Sequence, residues 1–160
     1  MTAPDNDLLK SLVEAQGNNA FIQALGAEIT EAVAGRTTMR LPYSQKLVGN
    51  PDTGVVHGGV ITGLLDHACG MAVGSALGVV VGNSPRRTNV SFATLDLRID
   101  YLKAATPGAD ILVIGECVKI TRQIVFARGR AYQDSADDPI AAATGTFMMT
   151  ELRLAPEAKA

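Results

Sequence analysis

The stretch VVHGGVITGLLDHACGMAVGSALGVVVG, from Val55 to Gly82, is the most apolar part of the chain, and a carboxylate, Asp66, and an imidazole, His67, sit near its middle. Val60, Ile61, Leu64, Leu65, Ala68, Cys69 and the apolar residues that follow, as far as Leu77, recur at spacings of three and four, the period of an α-helix. They cover much of the circumference, so other structure must wrap the helix on most sides. A carboxylate is costly to hide on such a helix unless something pairs with it. The chain therefore needs a fold that surrounds one long helix and still gives Asp66 a use. The stretch is long enough to resemble a membrane span, but His57, Asp66, His67 and seven glycines within it fit a buried core helix instead.

The flanking sequence supplies the wrapping. DNDLLKSLVEAQG reads as a short amphipathic helix, capped by Asp5 or Asn6 and ended by Gly17. In ALGAEITEAVAGRTTMRLPYS the residues Ile29, Ala32 or Val33, Thr37, Met39 and Leu41 are strand-like, with a turn at Ala34-Gly35. QKLVGNPDTGVV reads as a loop, as does GNSPRR. After the long helix, NVSFATLDLRIDYL alternates through Leu95, Leu97, Ile99 and Tyr101, and ILVIGECVKI, IVFARGRAYQD and IAAATGTFMMTEL are three further strands. Strands joined by short connections pair antiparallel. The expectation is an α+β architecture, one long apolar helix against one antiparallel sheet that curls around it.

At 160 residues the chain fits one domain, with residues 1–19 as an N-terminal helix and lead-in, 20–152 as the domain and 153–160 as a tail. A net charge of −2 argues against nucleic acid as a partner, which usually calls for a basic face. Cys69 and Cys117 are far apart and form no CxxC, so they read as small apolar residues in a reducing compartment. No secretory signal is visible in Met1 to Gly17, and a cytoplasmic location is the default expectation, with no membrane partner.

His57-Gly58-Gly59 falls where the loop becomes the helix. The first N–H groups of a helix have no internal partner and carry partial positive charge, and glycine lets another group approach them. Such a start suits an anion or a developing oxyanion. A second reading stays open, in which the glycines only make a tight turn under the sheet. Asp66 lies eight residues after Gly58, about 12 Å along the axis at ~1.5 Å per residue. One chain cannot bring this carboxylate to its own helix start. Two antiparallel helices about a two-fold axis can, which gives two equivalent sites and an obligate dimer.

HGGVITGLLDHACGMA closely resembles the HGG-x4-L-x-D helix motif of the hotdog-fold acyl-CoA thioesterases of the PaaI-like type. GNPDTGVVHGG is similar to that family's Asn-containing approach loop, and ATLDLRIDYLKAATPGADILVIGECVKITRQIVFARGRAY and IAAATGTFMM to its later strands; the resemblance runs from about Ala20 to Thr150. It implies a hotdog fold, a homodimer that often pairs into a tetramer, hydrolysis of an acyl-CoA thioester, and no metal or dissociable cofactor. It also implies roles. Asp66 matches the catalytic carboxylate, as general base on water or as nucleophile. The Gly58 N–H matches the group that polarises the carbonyl, with Gly59 beside it. His57 and Asn50 match residues that shape the pocket, and Thr94 a hydroxyl that positions the carboxylate or water. Lys103, Arg122 and the Arg86-Arg87 pair are candidates for the CoA phosphates.

Structural readings stand beside these. His57 can cap the helix, Asn50 can be a turn residue, Thr94 suits any strand, and His67 suits packing. A metal site at His57, Asp66 and His67 is disfavoured because adjacent helical residues point different ways. The absence of GxSxG argues against an α/β-hydrolase. Two other functions compete with hydrolysis: a hydratase or dehydratase of acyl thioesters, using His57 with Asp66, and a non-catalytic acyl-CoA binder.

Overall fold

The computed structural model describes residues 10, 14, 19–77 and 90–151. Lys10 and Glu14 are helical; the rest of the expected N-terminal helix, the Arg86-Arg87 loop and the tail lie outside the described residues. The elements that follow are α1 (Ala20–Leu25), β1 (Glu28–Val33), β2 (Arg36–Leu41), a 3-10 turn (Gln45–Leu47), β3 (Val48–Asn50), β4 (Val55–Val56), α2 (Gly58–Ala76), β5 (Val90–Tyr101), β6 (Ile111–Ile120), β7 (Ile124–Tyr132) and β8 (Ala141–Glu151). The main sheet runs β1-β2-β6-β7-β8-β5 with every pair antiparallel, and β3 and β4 form a separate ribbon.

Helix α2 packs against β2, β5, β6, β7 and β8, so the sheet wraps it as its apolar circumference requires. Leu64, Leu65, Ala68, Cys69, Ala72 and Val73 on α2 are completely buried. Close approach is possible because Gly115 and Gly129 pair across β6 and β7 directly beneath the helix. A methyl group on Gly115 would lie 2.2 Å from the Ala68 carbonyl oxygen, and one on Gly129 would press on Leu65 and Cys69. Ser75 ties the far end of α2 to the β1–β2 turn: its Oγ accepts from Gly35 N–H at 3.0 Å and donates to Ala72 O at 2.9 Å.

Three local readings change. The helix α1 falls where alternation is expected to begin. It is less than two turns long, too short to show a helical period, but Asn19 caps it by accepting from Ile22 N–H and Gly26 ends it at φ 75°. The loop before α2 contains the 3-10 turn and the β3–β4 ribbon. Leu95 does not share a face with Leu97, Ile99 and Tyr101: it is the extra residue of a β-bulge between Thr94 and Asp96 and is 53% exposed. A second bulge between Ile29 and Glu31 settles the β1 alternatives, burying Ala32 and leaving Val33 half-buried.

Candidate active site on the central helix

The helix has a second stripe. Thr62, Gly63, Asp66, His67, Gly70 and Met71 follow one another at helical spacing and are only half-buried, opposite the sheet-facing leucines. This open stripe is why the helix tolerates a carboxylate. Asp66 stands in the wall of a cavity of about 280 Å³, lined also by Asn19, His67, Gly70, Met71, Phe92, Thr94 and Phe147. Thr94 Oγ1 donates to Asp66 Oδ1 at 2.8 Å. Among the described residues nothing bonds the other carboxylate oxygen, which is left for a water or a substrate.

The bulge at Leu95 makes that hydrogen bond possible. Along an unbroken strand, Phe92 and Thr94 would face away from Leu97, Ile99 and Tyr101, because successive side chains alternate. The extra residue shifts the phase by one. Phe92 then packs with the core, Thr94 reaches Asp66, Leu97 and Ile99 pack on the core, and Tyr101 reaches α2, all from one face of β5.

His57 is the N-cap of α2, and its Nδ1 accepts from Gly59 N–H at 2.9 Å. The capping reading of His57 therefore describes its geometry. Gly59 is needed because a side chain there would strike the same ring, 2.9 Å from Nδ1. The Gly58 N–H has no acceptor among the described residues. It is the helix's free donor. Tyr101, whose function sequence reasoning missed, fixes its place: the phenol donates to Gly58 O at 2.7 Å and shares a 2.6 Å hydrogen bond with Thr62 Oγ1. A side chain on Gly58 would meet that phenol oxygen at 3.1 Å. Tyr101 was visible only as one more alternating strand residue, and its partner 43 positions earlier is not a sequence-local signal.

Two titrations respond to this environment. Burial lowers the His67 pKa, and the charge of Asp66 opposes that by raising it. Among the described residues, His67 Nε2 is buried without a hydrogen-bond partner. Burial, and then the negative charges of Asp66 and Glu116, push the Cys69 thiol up to about 12, so it carries no thiolate character.

The other sequence candidates lie apart. Asn50 closes a turn, its side chain accepting from Asp52 N–H at 3.0 Å and its carbonyl from Gly54 N–H at 2.9 Å. Its neighbour Gly49 packs against His57, so the loop seats the helix start. Lys103 is ion-paired with Asp138. Arg122 is exposed in the turn between β6 and β7, and neither it nor Lys103 lines the Asp66 cavity. Among the described residues no helix is long and apolar enough to cross a membrane.

An antiparallel sheet wrapped around one helix is an architecture shared with known proteins. Residues 53–140 match the profile of the Thioesterase superfamily. The chain belongs to that superfamily; its fold is the hotdog fold, and it is a thioester hydrolase. Among relatives, the medium/long-chain acyl-CoA thioesterase YigI of Salmonella typhimurium is 30% identical over 138 residues, 81% of this chain and 84% of that one. A Pseudomonas aeruginosa protein of known crystal structure is 40% identical, with a TM-score of 0.72 over 88% of this chain and 98% of that one. The Escherichia coli PaaI protein from the phenylacetic acid degradation operon shares the fold, with a TM-score of 0.75 at 16% identity over 92% of this chain and 96% of that one.

Proposed function

We propose that this chain hydrolyses acyl-CoA thioesters, with Asp66 as general base and the Gly58 N–H as the donor to the carbonyl oxygen. The carrying observation is the Asp66 carboxylate, bonded by Thr94 through one oxygen and open through the other, in the wall of a small cavity with an apolar end. Water attacks the thioester carbon and gives its proton to Asp66, and the developing oxyanion points at the Gly58 N–H. The tetrahedral species collapses, the carbon–sulfur bond breaks, and the proton held by Asp66 passes to the departing CoA thiolate. The free acid and CoA leave with Asp66 again ionised.

The two groups lie about 12 Å apart along one helix, so each site takes its carboxylate from one protomer and its amide from Gly58 of the partner subunit. Asn50 and His57 hold the helix start in place, and Arg122, exposed outside the cavity, is the cation offered to the CoA phosphates, which Lys103 would reach only by leaving Asp138. The medium/long-chain substrates in the YigI name fit an aliphatic acyl group here, since Met71, Phe92 and Phe147 make the cavity's far end apolar.

The test is release of free thiol from a series of acyl-CoAs. Asp66→Asn and Asp66→Ala are expected to lower kcat about a hundredfold or more, the usual worth of a positioned base. Wild-type rates in either variant would end this reading. Single turnover in ¹⁸O-water separates base from nucleophile: the general-base route puts the label in the released acid, whereas attack by Asp66 followed by hydrolysis at its own carbonyl leaves the label in Asp66.

A further inference from the structure

We infer that Gly70 sets the length of acyl chain the site accepts, by leaving open the part of the Asp66 cavity that Phe92 and Phe147 wall, into which the acyl tail runs. The inference rests on the acyl-CoA reading of the same cavity. Gly70 is one helical turn beyond Asp66 on the open stripe, and both line the cavity. A tail whose carbonyl sits at Asp66 and which follows the helix axis meets Gly70 next.

Glycine is a poor helix interior residue, and most glycines beneath or on α2 have a packing reason. Gly63, on the same helix, has the Phe21 ring 2.7 Å from where a side chain would begin, and Gly115 has the helix backbone at 2.2 Å. Gly70 has no such obstacle. A methyl group there would rest at 3.6 Å from Phe92 and 3.7 Å from Phe147, ordinary contact with two rings. The backbone does not demand the glycine and neighbouring atoms do not exclude alanine. What alanine would remove is the empty space itself.

The walls of that space are fixed. Phe147 is 1% exposed, and Phe92 meets it edge to face with ring centroids 6.3 Å apart. Met71 forms the adjoining wall. Gly70, Met71, Phe92 and Phe147 offer an alkyl chain carbon and sulfur surfaces, beside the polar lining of Asn19 and His67, and that apolar share favours an apolar tail over a charged one.

The experiment compares Gly70→Ala with the wild-type chain, using butyryl- and decanoyl-CoA for hydrolysis and the S-butyl and S-decyl thioethers of CoA, which cannot be hydrolysed, for calorimetric binding. Gly70→Ala is expected to unfold at a higher temperature than wild type while its decanoyl-to-butyryl ratio of kcat/KM, and the matching ratio of thioether affinities, fall about tenfold or more, as one extra carbon in a tight apolar pocket commonly produces. Phe92→Ala enlarges the same space and is expected to move both ratios the other way. It carries the test alone if Gly70→Ala does not fold. Unchanged ratios in the variants overturn the inference, as does a wild-type chain that binds neither thioether. A wild-type chain that releases no thiol but binds the S-decyl compound, with the preference lost in Gly70→Ala, ends the hydrolysis reading and upholds the pocket.

Discussion

The hydrogen bond from Thr94 to Asp66 is the contact on which turnover should depend most simply. A hydrogen bond to an ionised group contributes about 1.5–3 kcal/mol, so Thr94→Val is expected to lower kcat by about 10- to 100-fold, while Thr94→Ser restores most of it. Equal losses in both variants, or none, would show that the hydroxyl does not position the carboxylate. His67 gives a second check. Its pKa is lowered by burial, so between its folded value and 6.5 the unfolded chain holds more protons and stability rises with pH. That stability is fully present above 6.5 and is lost as the pH falls through the folded value. Denaturant unfolding on either side of pH 6.5 should show a shallower acid-side loss in His67→Asn. Asp66→Asn should lower the imidazole pKa further, because the carboxylate charge now raises it, and the shift can be read by NMR. Asp66, Gly58 and His57 were legible because their types and spacing are local in the chain. The sequence leaves open whether His57 caps the helix, bonds the loop, shapes the pocket or takes part in chemistry, and the capping bond to Gly59 is visible only in the structure.

Helix α2 and the strands around it were legible by period, because a helix repeats at 3.6 and a strand at 2 over lengths long enough to count. What the period concealed is where the strands break phase. Leu95 looks like the first of four alternating apolar residues, and the bulge there is what brings Thr94 and Tyr101 to the same side. A one-residue phase shift has no compositional mark, since Leu is as good in a bulge as beside it. The role of Gly115 was hidden for the same reason: the helix that presses on it is distant in sequence. This contact separates two identical substitutions. Gly115→Ala places a methyl group 2.2 Å from the Ala68 carbonyl oxygen, against backbone that cannot rotate away, and is expected to destabilise the fold by about 3 kcal/mol or more. Gly70→Ala meets only ring carbons at contact distance and exchanges a poor helix former for the best, so it should stabilise by up to about 1 kcal/mol. Equilibrium denaturation of the two variants side by side measures both signs.

The edge of the sheet supports the proposed dimer. Among the described residues the sheet ends at β5, a twelve-residue strand with a neighbouring strand, β8, on one side. An edge of that length invites pairing, and Leu95, Tyr101 and Leu102 beside it are more than half exposed. A two-fold contact through β5 would continue the sheet and set two α2 helices antiparallel on one side, each offering Asp66 toward Gly58 of the partner subunit. The proposed dimer can be tested without structural work, because Gly58 is the first residue of α2 and proline is tolerated there. His57 already has φ −61° and ψ 133°, the conformation that precedes proline comfortably. Gly58→Pro thus removes the amide donor and keeps the helical backbone, while its Cβ, at 3.1 Å from the Tyr101 phenol oxygen, makes that ring give by a few tenths of an ångström. Alone, Gly58→Pro and Asp66→Ala should each be inactive. In a heterodimer one site carries both lesions and the other carries neither. Unfolding and refolding an equal mixture makes about half the dimers mixed, each with one intact site of two, and should recover about a quarter of wild-type activity. A site contained in one chain would recover nothing, because every chain then has a broken site of its own.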